Sequence, residues 1–461
     1  MAVGLSTLTA MHGAAHQHTS CESILQTEVE SMIVTTVKGQ IRGIETEHAY
    51  VYKGVPYAKP PIGDLRWHAP VPMEGWNGII DAVRFQNRCA QPGEQPGSFY
   101  HKEFFLNPEY VPPMSEDCLY LNIWAPKEFK ENCPVAIWYH GGGYIGGHSS
   151  EIEFDGECYA KRGIILVTVT YRLGIFGFCC HEELKKRDGH SGNYGQLDQI
   201  AAIDWVRENI SVFGGDPDNI TIFGQSAGGM SVTNLCCSPL TKGKIHKAII
   251  QSCNGYRGPV RDNFPYAKME KLWGKFLKKK KLSFSQFYQL STQELVQMGH
   301  SFTRYAAFWV RSGLPMTPVV DGYFLPVGPD EAVDKGLSHT IPYMTGATKN
   351  DMGAGKNGPK DYRKHKLLQC LAKWSELHSK RGVDCYVYHF RRDLPGDNSG
   401  AFHSSELWYI FGTLGRSWRP MEKHDFELSE KMIDAWAAFM RTGNPGWESY
   451  KQEGGYIHMF E

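Results

Sequence analysis

The chain lacks any run of the roughly eighteen consecutive apolar residues that a membrane-spanning helix needs, and its mean hydropathy of -0.39 agrees. No membrane span is expected. It also lacks a charge bias: 49 Lys and Arg face 49 Asp and Glu. That balance removes the electrostatic footprint of a dedicated nucleic-acid or anionic-membrane binder. The 12 cysteines supply no C-x-x-C pair and no zinc-ligand spacing, and several, such as Cys179, Cys180, Cys236 and Cys237, sit in apolar stretches as small core residues. This usage suits a reducing compartment. Residues 1–30 have neither a basic start nor an uninterrupted apolar stretch, so they make a poor secretory signal. A cytoplasmic location is expected, with secretion the alternative. His12, His16, His18 and Cys21 lie in this polar segment, and no metal is assigned to them. Repeats and low-complexity linkers are missing too, which gives a loose leader over 1–31 and one domain over 32–461.

What the chain does contain is aromatic weight, 13% of all residues, enough for a compact body with an apolar pocket. Its periodicity alternates between strand and helix. Residues 134–139 and 164–171 are near-continuous apolar, β-branched runs, the pattern of strands buried on both faces. Apolar positions Ile200, Ile203, Trp205, Val206 and Ile210 predict a helix over 198–210, followed by a strand at 220–223. Further strands are predicted at 247–251, 342–345 and 385–390. A long helix over 428–440 stops at Thr442-Gly443-Asn444-Pro445. The class is therefore α/β, a mostly parallel sheet flanked by helices. Lys278 to Lys281 reads as a solvated helix end. Asn209 and Asn219 carry N-x-S/T triplets but fall in predicted core elements, so neither is expected to be glycosylated.

Two motifs carry chemistry. Gly224-Gln225-Ser226-Ala227-Gly228 follows the predicted strand 220–223 and opens a helix, the context of a nucleophile elbow. Its glycines permit a sharp turn that lifts the serine hydroxyl above the sheet edge. Upstream, His140-Gly141-Gly142-Gly143 follows the strand ending at Tyr139. Glycines there let main-chain N–H groups of Gly142 and Gly143 approach a substrate oxygen, with Ala227 as a third donor, forming an oxyanion hole.

These residues, FGGDPDNITIFGQSAGG at 213–229 and EDCLYLN at 116–122, resemble the two signatures of the type-B carboxylesterase/lipase family, which includes the cholinesterases. YKGVPYA at 52–58, YRLG at 171–174 and the stretch 193–199 are similar as well. The resemblance spans most of 33–445 and implies an α/β-hydrolase fold. A serine hydroxyl needs a base, and the base needs an acid to orient it. In AFHSSEL at 401–407, His403 matches the family's catalytic histidine. GATKNDM at 346–352 resembles its acid loop but offers Asp351 where Glu is usual; Asp361 is the alternative acid.

Three further departures shape expectation. Gln225 replaces a common Glu and should weaken any preference for cations. The short interval from Asp351 to His403 implies missing gorge-wall structure and a more open site. The loop between Cys89 and Cys118, which matches the family's first disulfide loop, carries Phe99, Tyr100, Phe104, Phe105 and Tyr110 but no Trp, so no choline platform is evident. The resemblance implies a Cys89–Cys118 bridge; the poor leader favours two reduced thiols instead. The expected function is a serine carboxylesterase acting on short-chain or aromatic esters of small molecules through an acyl-enzyme, without a cofactor. A specialised hydroxycinnamate or lactone esterase is the runner-up. A non-catalytic binding protein, like the family's adhesion members, is the remote rival.

Overall fold

The apolar runs become strands because each buries side chains on both faces, which only a sheet covered by helices on either side allows. In the computed structural model, which describes residues 33–461 except 130, 261–262, 312, 353 and 355–360, ten strands form one sheet. They are β1 (Ile44–Glu45), β2 (Ala49–Pro56), β3 (Tyr120–Pro126), β4 (Cys133–Tyr139), β5 (Ile165–Val169), β6 (Gly215–Gln225), β7 (Lys247–Gln251), β8 (Tyr343–Thr348), β9 (Cys385–Phe390) and β10 (His458–Phe460). Their order in space is β10-β9-β8-β7-β6-β4-β5-β3-β2-β1. From β10 through β5 all neighbours run parallel, whereas β5 with β3, β3 with β2, and β2 with β1 run antiparallel. The swap of β4 and β5 in this order places β4 beside β6. Tyr139 thereby aligns with Gly224 in register, and the carboxyl ends of the central strands open on one edge.

Side chains alternate across the sheet. Val135, Ile137 and Tyr139 enter the core on one face, Ala136 and Trp138 the core on the other. Helices α1 (Tyr194–Asn209), α2 (Ala227–Leu235), α3 (Tyr266–Lys280), α4 (Thr292–Val310), α5 (Lys366–Ser379) and α6 (Lys423–Thr442) supply much of the covering layers. α6 starts five residues before the predicted apolar stripe, because its first turn is a polar capping box of Glu422 and Asp425 and carries no periodic signal. Its stop is the one read from sequence: Gly443 takes φ 81°. Lys278, Lys279 and Lys280 form the last turn of α3, where cations suit the helix dipole. Asn209 is 1% exposed and its amide bonds Trp205 O and Val37 N–H. The leader over 1–31, with its histidines and Cys21, lies outside the described residues. Among the described residues no helix is long and apolar enough to cross a membrane.

One expectation is corrected. Cys89 and Cys118 form a disulfide with their Cα atoms 5.0 Å apart, well within bridging range. A short parallel pairing of Arg88–Cys89 with Met114–Ser115 holds the ends of the loop together, which brings the two buried sulfurs into contact whatever the leader does.

A buried charge pair ties the sheet to α1. Arg172, just past β5, gives its N–H, Nε and Nη2 to the Asp198 carboxylate at 3.0, 2.8 and 2.6 Å, and both side chains are nearly inaccessible. An uncompensated buried charge is costly, so Asp198→Asn is expected to lower unfolding free energy by about 3–5 kcal/mol. Urea denaturation checks this; a change within about 0.5 kcal/mol, as for a surface site, would contradict it.

Candidate active site

β6 ends at Gln225 and α2 begins at Ala227, so a single residue must turn the chain. Ser226 does this with φ 58° and ψ -123°, a strained conformation for a residue bearing a Cβ. Surrounding contacts compel it. A Cβ on Gly228 would lie 1.9 Å from Tyr139 O, and one on Gly224 would lie 2.5 Å from the Gly228 carbonyl carbon. The Ser226 N–H donates to Gln251 O at 3.0 Å, tying the turn to β7. The serine is half-buried and faces a cavity of about 710 Å³.

Beyond β4 the chain crosses the same cavity through Gly141, Gly142 and Gly143. Gly142 has φ 97° and could not carry a side chain, since a Cβ would sit 2.1 Å from Gly146 O. A Cβ at Gly141 would touch the Ser226 Cβ at 3.1 Å, so this backbone lies directly against the serine. His140 anchors the segment from below. It is fully buried, stacks on Tyr171 with centroids 4.5 Å apart, and its carbonyl accepts the Tyr171 hydroxyl at 2.8 Å. Burial lowers the His140 pKa to about 4, which keeps the ring neutral.

His403 and Asp351 arrive on loops from neighbouring strands, β9 and β8. The His403 Nδ1 lies 2.6 Å from Asp351 Oδ1. Asn350 joins the two loops: its N–H donates to Ala401 O and its Oδ1 accepts the Ala401 N–H, both at 2.9 Å. Asp351 is buried and takes further hydrogen bonds from the N–H groups of Thr348 and Met352. Burial alone would raise its pKa, but the charge and hydrogen bond of His403, with the Ser252 side chain and the Met352 N–H, bring it to about 2, so it is ionised at neutral pH. For His403, burial works to lower the pKa, and the charges of Asp351 and then Glu406 outweigh it and raise the pKa. Asp361, the alternative acid, is exposed and caps the turn at Arg363; the structure does not bring it to His403. Ser226 and His403 line the same cavity, with Gly142 and Gly143. Ala227 is buried at the first position of α2.

Three further residues surround this group, of which the sequence reading singled out Gln225 and Tyr100 and missed Glu406. The Gln225 amide lies 3.3 Å from His403 Nε2 and 3.4 Å from Nδ1, over the face of the ring. Glu406 is fully buried. Burial and the Asp351 charge lift its pKa to about 7, and its Oε1 lies 3.4 Å from Gln251 Nε2 and 3.5 Å from Ser252 Oγ. It stands three positions after His403 in the quoted stretch, yet nothing in sequence shows that a Glu there faces inward. Tyr100, from the disulfide loop, donates to His403 O at 3.2 Å.

A doubly covered parallel sheet with a serine elbow at its carboxyl edge defines the chain as an α/β-hydrolase. Comparison places it further. The carboxylesterase family pattern matches residues 30–369 and 363–457, and the chain belongs to that family and is a carboxylic ester hydrolase. It is 32% identical to the para-nitrobenzyl esterase of Bacillus subtilis (strain 168), over 91% of this chain and 93% of the relative. A fumonisin B1 esterase of Sphingopyxis macrogoltabida is 35% identical over 71% of this chain and 57% of the relative. An acetylcholinesterase of Leptinotarsa decemlineata is 28% identical over 90% and 79%. Among solved structures, a thermophilic PNB esterase superposes with a TM-score of 0.80 at 31% identity, covering 93% of this chain and 96% of its own.

The Asp351–His403 contact makes a pH prediction. A base works only when neutral, so kcat/KM should fall as pH drops through the His403 pKa, at a value above the ordinary imidazole's 6.5 or so. Asp351→Asn should move that limb to lower pH and reduce kcat by roughly three to four orders of magnitude. Asp361→Asn should leave both unchanged. The reverse pattern in pH–rate profiles of the two variants would transfer the acid's role to Asp361.

Proposed function

We propose that the protein hydrolyses esters by two-step acyl transfer, with Ser226 as nucleophile, His403 as general base and acid, and Asp351 as the acid that orients it. The observation that carries this reading is His403 in the wall of the cavity that Ser226 faces, with its Nδ1 2.6 Å from the buried Asp351 carboxylate. The Ser226 hydroxyl attacks the ester carbonyl as His403 takes its proton; the oxygen then carries negative charge. Gly142, Gly143 and Ala227 donate their N–H groups to that oxygen, and each such donor is worth roughly 3–4 kcal/mol at the transition state. His403 returns the proton to the leaving alcohol. Water deprotonated by the same ring then attacks the acyl-enzyme, which releases the carboxylic acid and the serine.

The cavity supports short-chain or aromatic esters of small molecules. Its volume of about 710 Å³ is that of a small-ligand site, and Tyr100, Phe104, Phe105 and Phe154 line part of it. Those rings equally support the narrower reading of a hydroxycinnamate or aryl-lactone esterase. The Cys89–Cys118 bridge supports secretion, the alternative to a cytoplasmic location, because such bridges persist in oxidising compartments.

The test is turnover of p-nitrophenyl acetate, butyrate and palmitate, with an aryl hydroxycinnamate alongside, by wild type and Ser226→Ala. Wild type should favour the two short esters, and the variant should lose about a million-fold in kcat with its fold intact. A folded Ser226→Ala enzyme that keeps most of its activity would overturn the assignment. A single steep preference for the hydroxycinnamate would select the narrower reading.

A further inference from the structure

The chain's overall charge balance hides a local excess. Residues 266–311 hold seven Lys and two Arg against two Glu, so the remainder of the chain is net acidic and the molecule is electrically lopsided. The buried side of α3 is Met269, Leu272, Trp273, Phe276 and Leu277. Lys268, Lys271, Lys275 and Lys278 recur at intervals of three and four and are exposed, so they line the other side of the helix. The ion-paired lysines among the described residues all lie elsewhere. No carboxylate there neutralises this face.

Beside it, α4 carries two aromatic rings that the core does not use. Its buried stripe runs through Leu295, Met298, Phe302, Ala306 and Val310. Phe308 and Trp309 fall off that stripe and are 78% and 48% exposed, with their rings edge to face at 5.2 Å. Phe308 is the most exposed large apolar side chain among the described residues. Packing of the two helices brings rings and cations together: Lys275 Nζ lies 5.6 Å from the Trp309 ring, and Lys279 Nζ 5.4 Å from the Tyr305 ring. Arg304, also exposed, stands one turn before Phe308. Leu314, five residues past Trp309, lines the catalytic cavity, so no more than about 18 Å of chain separates the patch from that wall.

We infer that this face docks the protein on an anionic phospholipid bilayer. Phe308 and Trp309 enter the boundary between head groups and acyl chains while the lysines of α3 meet lipid phosphates, the way an amphipathic surface lies on a membrane without spanning it. Charge alone would serve any soluble polyanion, but such a partner leaves Phe308 in water. A bilayer has a place for both the rings and the cations. Docking holds the cavity close to esters dissolved in the lipid. The binding itself does not depend on the esterase reading, and the two fail separately.

The experiment is co-sedimentation of the protein with vesicles of phosphatidylcholine alone or of equimolar phosphatidylcholine and phosphatidylglycerol, with no ester present. Partitioning onto the anionic vesicles should be roughly tenfold or more the stronger, and added salt should erase much of the difference. This wild-type comparison needs no variant. Two double variants then divide the surface: Lys271→Glu with Lys275→Glu, and Phe308→Ser with Trp309→Ser. All four positions are exposed, and an unchanged melting curve checks that each variant folds. Each should weaken partitioning onto the anionic vesicles by roughly tenfold or more. Equal partitioning onto the two vesicle types, or wild-type partitioning by either folded variant, would overturn the proposal. A single-stranded oligonucleotide bound more tightly than the anionic vesicles would assign the lysines to a nucleic acid. A dimer in free solution that Phe308→Ser with Trp309→Ser abolishes would assign the rings to a second copy of the chain. Either of those results would overturn the proposal as well.

Discussion

The close approach of two strand ends holds the site together. β6 pairs with β4 so that Gly224 lies opposite Tyr139, and the turn after β6 then folds Gly228 back to within a missing side chain's width of Tyr139 O. Nothing larger than hydrogen fits there. That single exclusion forces the strained conformation of Ser226, aims its hydroxyl out of the sheet, and brings the glycine run after β4 alongside it. The strain of a non-glycine residue at φ 58°, of order 1–3 kcal/mol, is borne by the buried second half of β6 and by α2, which is buried throughout.

The other half of the site depends on a different kind of bond. The two loops that carry Asp351 and His403 leave adjacent parallel strands, and Asn350 clips one to the other with a pair of 2.9 Å hydrogen bonds. Gly400 lies so near this clip that a Cβ would meet Asn350 Oδ1 at 2.4 Å. The electrostatics follow from that placement. Asp351 stays ionised although it is buried because the His403 imidazole, the Ser252 side chain and the Met352 N–H hold its charge. Glu406 has no comparable donors, and Asp351 repels it. Two buried carboxyl groups near one histidine thus sit at opposite ends of the acid range, about 2 and about 7, which keeps one negative charge beside the ring.

Much of this was legible in sequence, and the division is physical. Central strands were visible at 134–139, 220–223, 247–251 and 385–390 because residues buried on both faces leave continuous apolar runs. The glycine motifs were visible because backbone crowding excludes every other residue. β1 and β10, two and three residues long, were not, since so short an edge strand carries no period. The first turn of α6 was hidden by its polar cap. Glu406 was hidden for a deeper reason: an inward-facing carboxylate has the same sequence signature as a solvated one, and only the three-dimensional surroundings distinguish them. The disulfide was legible as a matched pair of positions, but the inference from the leader pointed the wrong way, because the leader has no bearing on the distance between the two sulfurs.

The order of strands has a consequence for how such a protein can change over generations. Ser226, Asp351 and His403 stand at the ends of β6, β8 and β9, each strand in register with its neighbours, whereas Tyr100, Phe104 and Phe105 belong to one loop closed at its base by Cys89 and Cys118. On the mechanism proposed above, bond-making would rest with the first group and much of substrate choice with the loop, on separate pieces of chain. A lineage can lengthen, shorten or recolour the tethered loop and meet a new ester without disturbing the strand ends that break it.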